Sequence, residues 1–302
     1  MYSPSSSGIR ASTSICLVDS VENAQQLFEM AETARLDRPL QLLVEGGFAG
    51  GRTGCRNLAA ALDLARFVRR CGPRLALRGV EGFEGLSRGA SPQESEWQAT
   101  EFLDFLLEIA TACQAEDLFA AGPIILSAGG SKYYDIVAER FGRAKLGRDL
   151  LVVTRSGCYL THDSALYRQA FDGLVKRSPQ AEALGTGLLP ALELWAYVQS
   201  RPEPSKALLT MGKRDVSHDD LPVALKWARP GQGKPSEVAP GHIVTGLNDQ
   251  HCHIAVPPES PLAIGDMVCF GISHPCLTFD KWQVICVVDD DYNVLSAIKT
   301  FF

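Results

Sequence analysis

Five short runs of near-continuous apolarity, separated by stripes of helical period, restrict the fold of this chain more than any other feature. They are Ile15-Cys16-Leu17-Val18, Leu40-Gln41-Leu42-Leu43-Val44, Leu75-Ala76-Leu77-Arg78-Gly79-Val80, Pro123-Ile124-Ile125-Leu126 and Leu150-Leu151-Val152-Val153. A strand with one wet face must alternate apolar with polar residues. A strand covered on both faces, as in a parallel sheet, need not. Between the runs, Leu58, Ala61, Leu62, Ala65 and Val68 share one helical face, as do Phe102, Phe105, Leu106, Ile109 and Cys113 further on. The pattern predicts an α/β domain of five βα units over residues 14–189. After Gly187 the texture changes: Leu192 to Gln199, Ala207 to Met211 and Val223 to Trp227 read as strands separated by Pro, Gly and Asp. A β-rich domain is therefore expected over 190–302, with Arg229 to Pro235 as a loop inside it.

Composition narrows the partners. With 302 residues, 46% of them hydrophobic, the chain has ample material for packed cores. Its net charge of −6 and dispersed basic residues give no footprint for nucleic acid or an anionic membrane, so a small molecule is the expected partner. No apolar run reaches the roughly 18 to 20 residues a membrane span requires, and the Ser-rich stretch Met1 to Ser14 has no signal-peptide form. A cytoplasmic protein is expected. The nine cysteines are an odd number, mostly inside apolar runs, and read as free thiols.

In parallel β/α folds the chemistry gathers at the carboxyl ends of the strands. Ser127-Ala128-Gly129-Gly130-Ser131 follows the fourth run and is expected to open into a helix at Lys132, a geometry in which backbone N–H groups can hold a phosphate or merely make a tight turn. Arg155-Ser156-Gly157-Cys158-Tyr159 follows the fifth run and offers a second anchor through Tyr159, or a packing residue. Towards the end of the chain, His274-Pro275-Cys276 spaces an imidazole and a thiolate by two, as on one face of an extended segment, and zinc suits that pair. Two donors alone do not make a site, and the isolated His251 and His253 read as ordinary surface or core residues.

Together, Glu45 with Gly51-Arg52-Thr53-Gly54, Glu81-Gly82-Phe83-Glu84-Gly85, Leu126 to Ser131, Arg155 to Asp163, Leu247-Asn248-Asp249-Gln250-His251 and Ser273-His274-Pro275-Cys276 resemble, in order, the bacterial amino acid deaminases of the D-serine dehydratase-like group. That group belongs with alanine racemase and D-threonine aldolase among the fold-type III pyridoxal phosphate enzymes. The resemblance runs from about Ser14 to Phe302 and leaves residues 1–13 unmatched. It implies a partial (β/α)₈ alanine racemase-like barrel, about five of eight units, followed by a β-rich domain bearing a metal site. It further implies that Ser127, Gly129, Gly130 and Ser131, with Gly157 and Tyr159, hold the cofactor phosphate, that Arg52 lies beside its ring, and that His274 and Cys276 bind Zn²⁺ or another divalent metal. The implied activity is deamination of D-serine or a related D-hydroxyamino acid to a 2-oxo acid and ammonia, in a family whose full-length members form homodimers.

One expected feature is missing. Enzymes of this type hold the cofactor as a Schiff base on a lysine ending the first barrel strand, in an Arg-Pro-His-x-Lys-Thr-His-like segment. The nine lysines here are 132, 145, 176, 206, 213, 226, 234, 281 and 299, and none follows the first predicted strand. Three absent βα units, about 100 residues, would account for this, and the chain is expected to be inactive as it stands. Alternatives are a D-3-hydroxyamino acid aldolase, against which Cys276 argues because the aldolases carry aspartate there, a non-catalytic pyridoxal phosphate-binding fragment, and a five-stranded flavodoxin-like sheet with an added β domain.

Overall fold

The computed structural model describes residues 14–86, 89–130, 132–183, 185 and 187–301. The unmatched segment 1–13 and Ser131 of the expected phosphate loop lie outside the described residues. The chain divides into two compact units, the first ending at Ser156 and the second beginning at Gly157. The β-rich pattern expected from 190 thus sits within a unit that also takes in the helical residues just before it.

In the first unit every expected strand is present: β1 (Ile15–Val18), β2 (Leu40–Gly46), β3 (Leu75–Gly82), β4 (Ile124–Ala128) and β5 (Leu150–Thr154). All neighbours pair in parallel, in the order β1-β2-β3-β4-β5. That order decides between two architectures. A flavodoxin-like sheet reverses direction at a switch point and places its first strand inside, whereas strands added one after another in a single direction are an arc of a barrel. Helices α1 (Val21–Ala34), α2 (Leu58–Arg70), α3 (Pro92–Ala115) and α4 (Tyr134–Gly142) fill the connections. Ser20, Asn57 and Ser91 start the first three by accepting a bond from the amide three residues on. The core joins Leu64, Ala65 and Val68 of α2 and Leu103, Leu106 and Ile109 of α3 to Leu42, Val44, Leu77 and Leu126 of the sheet.

The second unit opens with a one-turn helix, Gly157–Tyr159, then α5 (Leu166–Arg177) and α6 (Pro179–Ala183). Its strands are β6 (Glu193–Glu203), β7 (Lys206–Leu209), β8 (Val223–Arg229), β9 (Gln232–Glu237), β10 (Ile243–Leu247), β11 (Cys252–Ala255) and β12 (Met267–Gly271), forming one antiparallel sheet in the order β10-β11-β7-β6-β12-β8-β9. A short α7 (Cys276–Phe279) precedes a separate hairpin of β13 (Val284–Val288) and β14 (Val294–Lys299). The expected loop over Arg229 to Pro235 is corrected to a tight turn at Pro230 and Gly231 that feeds β9 directly. No helix of the described residues is long and apolar enough to cross a membrane.

Candidate functional site

Two groups of residues singled out from the sequence are each organised within one unit. In the first unit, the carboxyl ends of β2 to β5 bring together acidic and glycine-rich turns. Glu45 accepts a 2.5 Å hydrogen bond from the Thr53 hydroxyl, and the Arg52 guanidinium stacks 4.9 Å above the Phe83 ring. Glu81 is buried, and burial lifts its carboxyl to about 7 despite Arg155, whose Nη2 lies 2.5 Å from Oε2 while donating to the Gly82 carbonyl at 2.9 Å.

The expected phosphate loop holds a different anion. Glu84, fully buried in the short helical turn after β3, accepts hydrogen bonds from the Gly129 amide at 2.9 Å and the Gly130 amide at 3.0 Å. These are the donors assigned from the sequence to a cofactor phosphate, and in this structure the chain's own carboxylate takes both. Ser156 hydroxyl donates to the carbonyl of Gly130 at 3.0 Å and closes the turn from the β5 side. Ser127 is buried, and its hydroxyl has no hydrogen-bond partner among the described residues. Helix α4 begins at Tyr134 rather than at Lys132, because 132 and 133 continue the turn. With Glu84 in place the Gly129 and Gly130 amides do not fit a phosphate.

In the second unit the expected metal pair gains a member. One donor atom each from Cys158, His274 and Cys276 lies within 4.8 Å of the others. Several bonds build this arrangement. The Asp163 Oδ1 caps the first turn of α5 by accepting from the amides of Ala165, Tyr167 and Arg168, which fixes the segment behind Cys158. The Ser164 amide donates to the Ile272 carbonyl at 2.9 Å and so ties that segment to the end of β12. The amide of His274 donates to Ser217 Oγ, and Ser217 and Ser273 hydroxyls share a 3.1 Å bond beneath it. His274 Nδ1 lies 2.6 Å from Asp219 Oδ2, which leaves Nε2 for a metal, the carboxylate–imidazole arrangement typical behind metal ligands. Tyr167 packs edge-on to His274 at 6.1 Å and hydrogen-bonds to Cys158; burial pushes its phenol pKa up, keeping it a donor. The donor set therefore fits a soft or borderline divalent metal.

Residues 191–288 match the family described as "Putative serine dehydratase domain". The match spans about a third of the chain, and that segment is similar to such a domain. The resemblance drawn from the ordered motifs is supported over this segment, and the matched residues include both His274 and Cys276. No curated protein sequence matches the chain. Among solved structures, D-threonine aldolase from Filomicrobium marinum superimposes with a TM-score of 0.67 at 18% identity, over 94% of this chain and 67% of that one. D-threo-3-hydroxyaspartate dehydratase from Delftia sp. HT23 gives 0.64 at 18%, over 95% and 72%. An Ala racemase-like protein from Idiomarina loihiensis gives 0.64 at 16%, over 94% and 70%. At these identities the likeness is one of fold, an alanine racemase-like arc of barrel followed by a β-rich domain.

Of the residues expected to bind cofactor or metal, Gly129, Gly130, Ser127 and Arg52 gather at one end of the first unit's sheet, while His274 and Cys276 meet in the second unit. Gly157 and Tyr159 flank Cys158 in its one-turn helix, and Tyr159 is exposed. His253 pairs with Asn248 at 2.6 Å on β11 and is not among the clustered donors. The roles of two residues in these clusters were not read from the sequence: Cys158, hidden inside a motif assigned to phosphate, and Glu84, whose partners follow the neighbouring strand of the sheet.

Proposed function

We propose that this chain is a D-hydroxyamino acid lyase of the D-serine dehydratase-like group whose metal-binding half is assembled and whose Schiff-base lysine is absent. The observation that carries the reading is the convergence of His274 and Cys276 donors, with Asp219 behind the imidazole, inside the segment similar to a serine dehydratase domain. A bound divalent metal supplies Lewis acidity toward a β-hydroxyl, converting a poor leaving group into a better one. This chain's own part is to hold it. Asp219 fixes the tautomer and plane of His274, Cys276 contributes a thiolate, and the exposure of Cys276 leaves that side of the cluster accessible to a small substrate.

The structural neighbours include both a D-threonine aldolase and a D-threo-3-hydroxyaspartate dehydratase, and one dehydratase mutant among them was solved in a metal-free form. Cys276 favours dehydration over aldol cleavage here. Elimination of water from D-serine, followed by hydrolysis, releases pyruvate and ammonia. The chain of 302 residues is expected not to complete that reaction, since Glu84 holds the two amides of the phosphate loop and none of the nine lysines follows β1.

The test is to purify residues 1–302, add pyridoxal phosphate, zinc and D-serine, and follow pyruvate together with borohydride-stable labelling of lysine. We expect dialysable cofactor, no stable label and no sustained pyruvate, with zinc retained by the wild type and lost in Cys276→Ser. Equal zinc in both proteins removes the metal reading; pyruvate with a specific labelled lysine removes the claim of inactivity.

A further inference from the structure

We infer that Cys158 is a third protein ligand, making the metal centre a Cys₂His zinc site with one open position. The inference rests on the assignment of His274 and Cys276 to metal and extends it to a residue 116 positions earlier in the chain. Three observations carry it. The Cys158, His274 and Cys276 donors lie within 4.8 Å of one another. Zn–S bonds of about 2.3 Å and Zn–N bonds of about 2.0–2.1 Å, at tetrahedral angles, separate ligand atoms by about 3.5–3.8 Å, so closure asks each donor to move by roughly an ångström or less. Second, Cys158 is buried while its partners reach the surface, which sets one donor at the floor of the cluster and the others at its rim. Third, the segment that bears Cys158 is anchored at two points after it: the His162 amide donates to the Cys158 carbonyl, and Ser164 is tied to Ile272, two residues before His274.

Ligand number decides which metal is held and what it can do. Two thiolates and a neutral imidazole balance the charge of a divalent ion and are soft donors, which select zinc over the magnesium or manganese that oxygen-rich sites take. Each thiol gives its proton to solvent as the metal–sulfur bond forms, so binding is a substitution of metal for proton with no change of oxidation state. Three protein ligands leave the fourth tetrahedral position for water or a substrate hydroxyl, the pattern of a catalytic rather than a purely structural zinc.

The experiment uses the full chain, stripped of metal under reducing conditions and reloaded with Zn²⁺ or Co²⁺. The readouts are metal affinity against a competing chelator and the cobalt–thiolate charge-transfer absorption, whose intensity follows the number of thiolates bound. In wild type we expect one metal per chain with a two-thiolate band. Cys158→Ser should halve the band and weaken binding about tenfold or more, a loss at least as large as removal of an outer-shell partner brings. Cys158→His, which replaces sulfur with nitrogen, should keep the metal with a one-thiolate band, and Tyr167→Phe, which disturbs the same pocket but removes no ligand, should keep both thiolates. Melting of the metal-free proteins checks that the variants fold, and Cys158→His reads the thiolate count should Cys158→Ser not fold. A band unchanged from wild type in Cys158→Ser or Cys158→His overturns the third ligand. If Cys276→Ser then loses the thiolate band, the two-residue metal reading survives; if neither substitution changes anything, both fall. A Cys158–Cys276 disulfide in the reduced, metal-loaded protein would also overturn the inference.

Discussion

Glu84 offers two oxygens to two buried amides, and everything around it depends on that match. Its carboxyl pKa is raised by burial and held back by the Gly129 and Gly130 bonds, so the carboxylate is both costly to bury and well paired. Replacing Glu84 by Ala leaves two N–H groups with no acceptor at the end of β4. At about 1–3 kcal/mol for each unsatisfied buried group, Glu84→Ala should lose about 2–4 kcal/mol of stability. Formate at high concentration should restore part of it, because it presents the same two oxygens without the side chain. Urea denaturation with and without formate checks this, and an unchanged midpoint would show that the amides find another acceptor. If phosphate rescues as well as formate, the loop retains the anion preference expected from its glycines once the internal carboxylate is gone.

Elements differ in how plainly the residues announced them, and the reasons are physical. Strands β1 to β5 were legible because burial on both faces leaves nearly continuous apolar runs, and α2 and α3 because each shows a single stripe. Strand β9 was not, because Gln232-Gly233-Lys234-Pro235-Ser236-Glu237 has the composition of a loop. It forms at the edge of its sheet, where a residue lacking an N–H is tolerated and no face must be covered. The start of α4 was misplaced because the turn after Gly130 carries no side-chain cap to mark it. His274 and Cys276 could be paired from their spacing, but Cys158 joins them through contacts such as the Ser164–Ile272 bond and the packing of Tyr167 on His274, and no local pattern reports a contact made across so much chain. One glycine tests the strand packing directly. A Cβ on Gly79 would lie 1.9 Å from the Ile125 carbonyl oxygen, where β3 pairs with β4 and where the β2–β3 register shifts between Leu42 and Leu43. Gly79→Ala should therefore force the two strands apart and cost about 2–3 kcal/mol, measured by urea denaturation. A loss below about 0.5 kcal/mol, the range of ordinary surface substitutions, would mean that the strands yield more easily than this contact implies.

The whole molecule presents more apolar surface than its two cores absorb. In the first unit, β1 and β5 are the outer strands of the sheet, and each pairs on one side only among the described residues. Ile15 and Leu17 are 41% and 43% exposed on β1, and Leu151 is 51% exposed on β5. In the second unit, the β13–β14 hairpin carries Val284, Val294, Leu295 and Ile298 at 49–67% exposure, although a lone two-stranded ribbon has little stability of its own in water. Open strand edges bearing exposed aliphatic side chains are templates for pairing with another chain, and proteins ordinarily blunt them with lysine, proline or a covering element. The 302-residue chain is accordingly expected to self-associate as its concentration rises. The two sources can be separated, because each lies within its own unit. Leu17→Lys with Leu151→Lys charges the sheet edges, and Leu295→Lys charges the hairpin, in each case at a position exposed enough that the folded state should lose no more than about 0.5 kcal/mol. Light scattering and sedimentation over a concentration series should show reduced association in whichever variant removes the dominant contact, with the melting temperature unchanged. If all the lysine variants associate as the wild type does, exposed edges and hairpin are not the cause, and the association must come from partial unfolding instead.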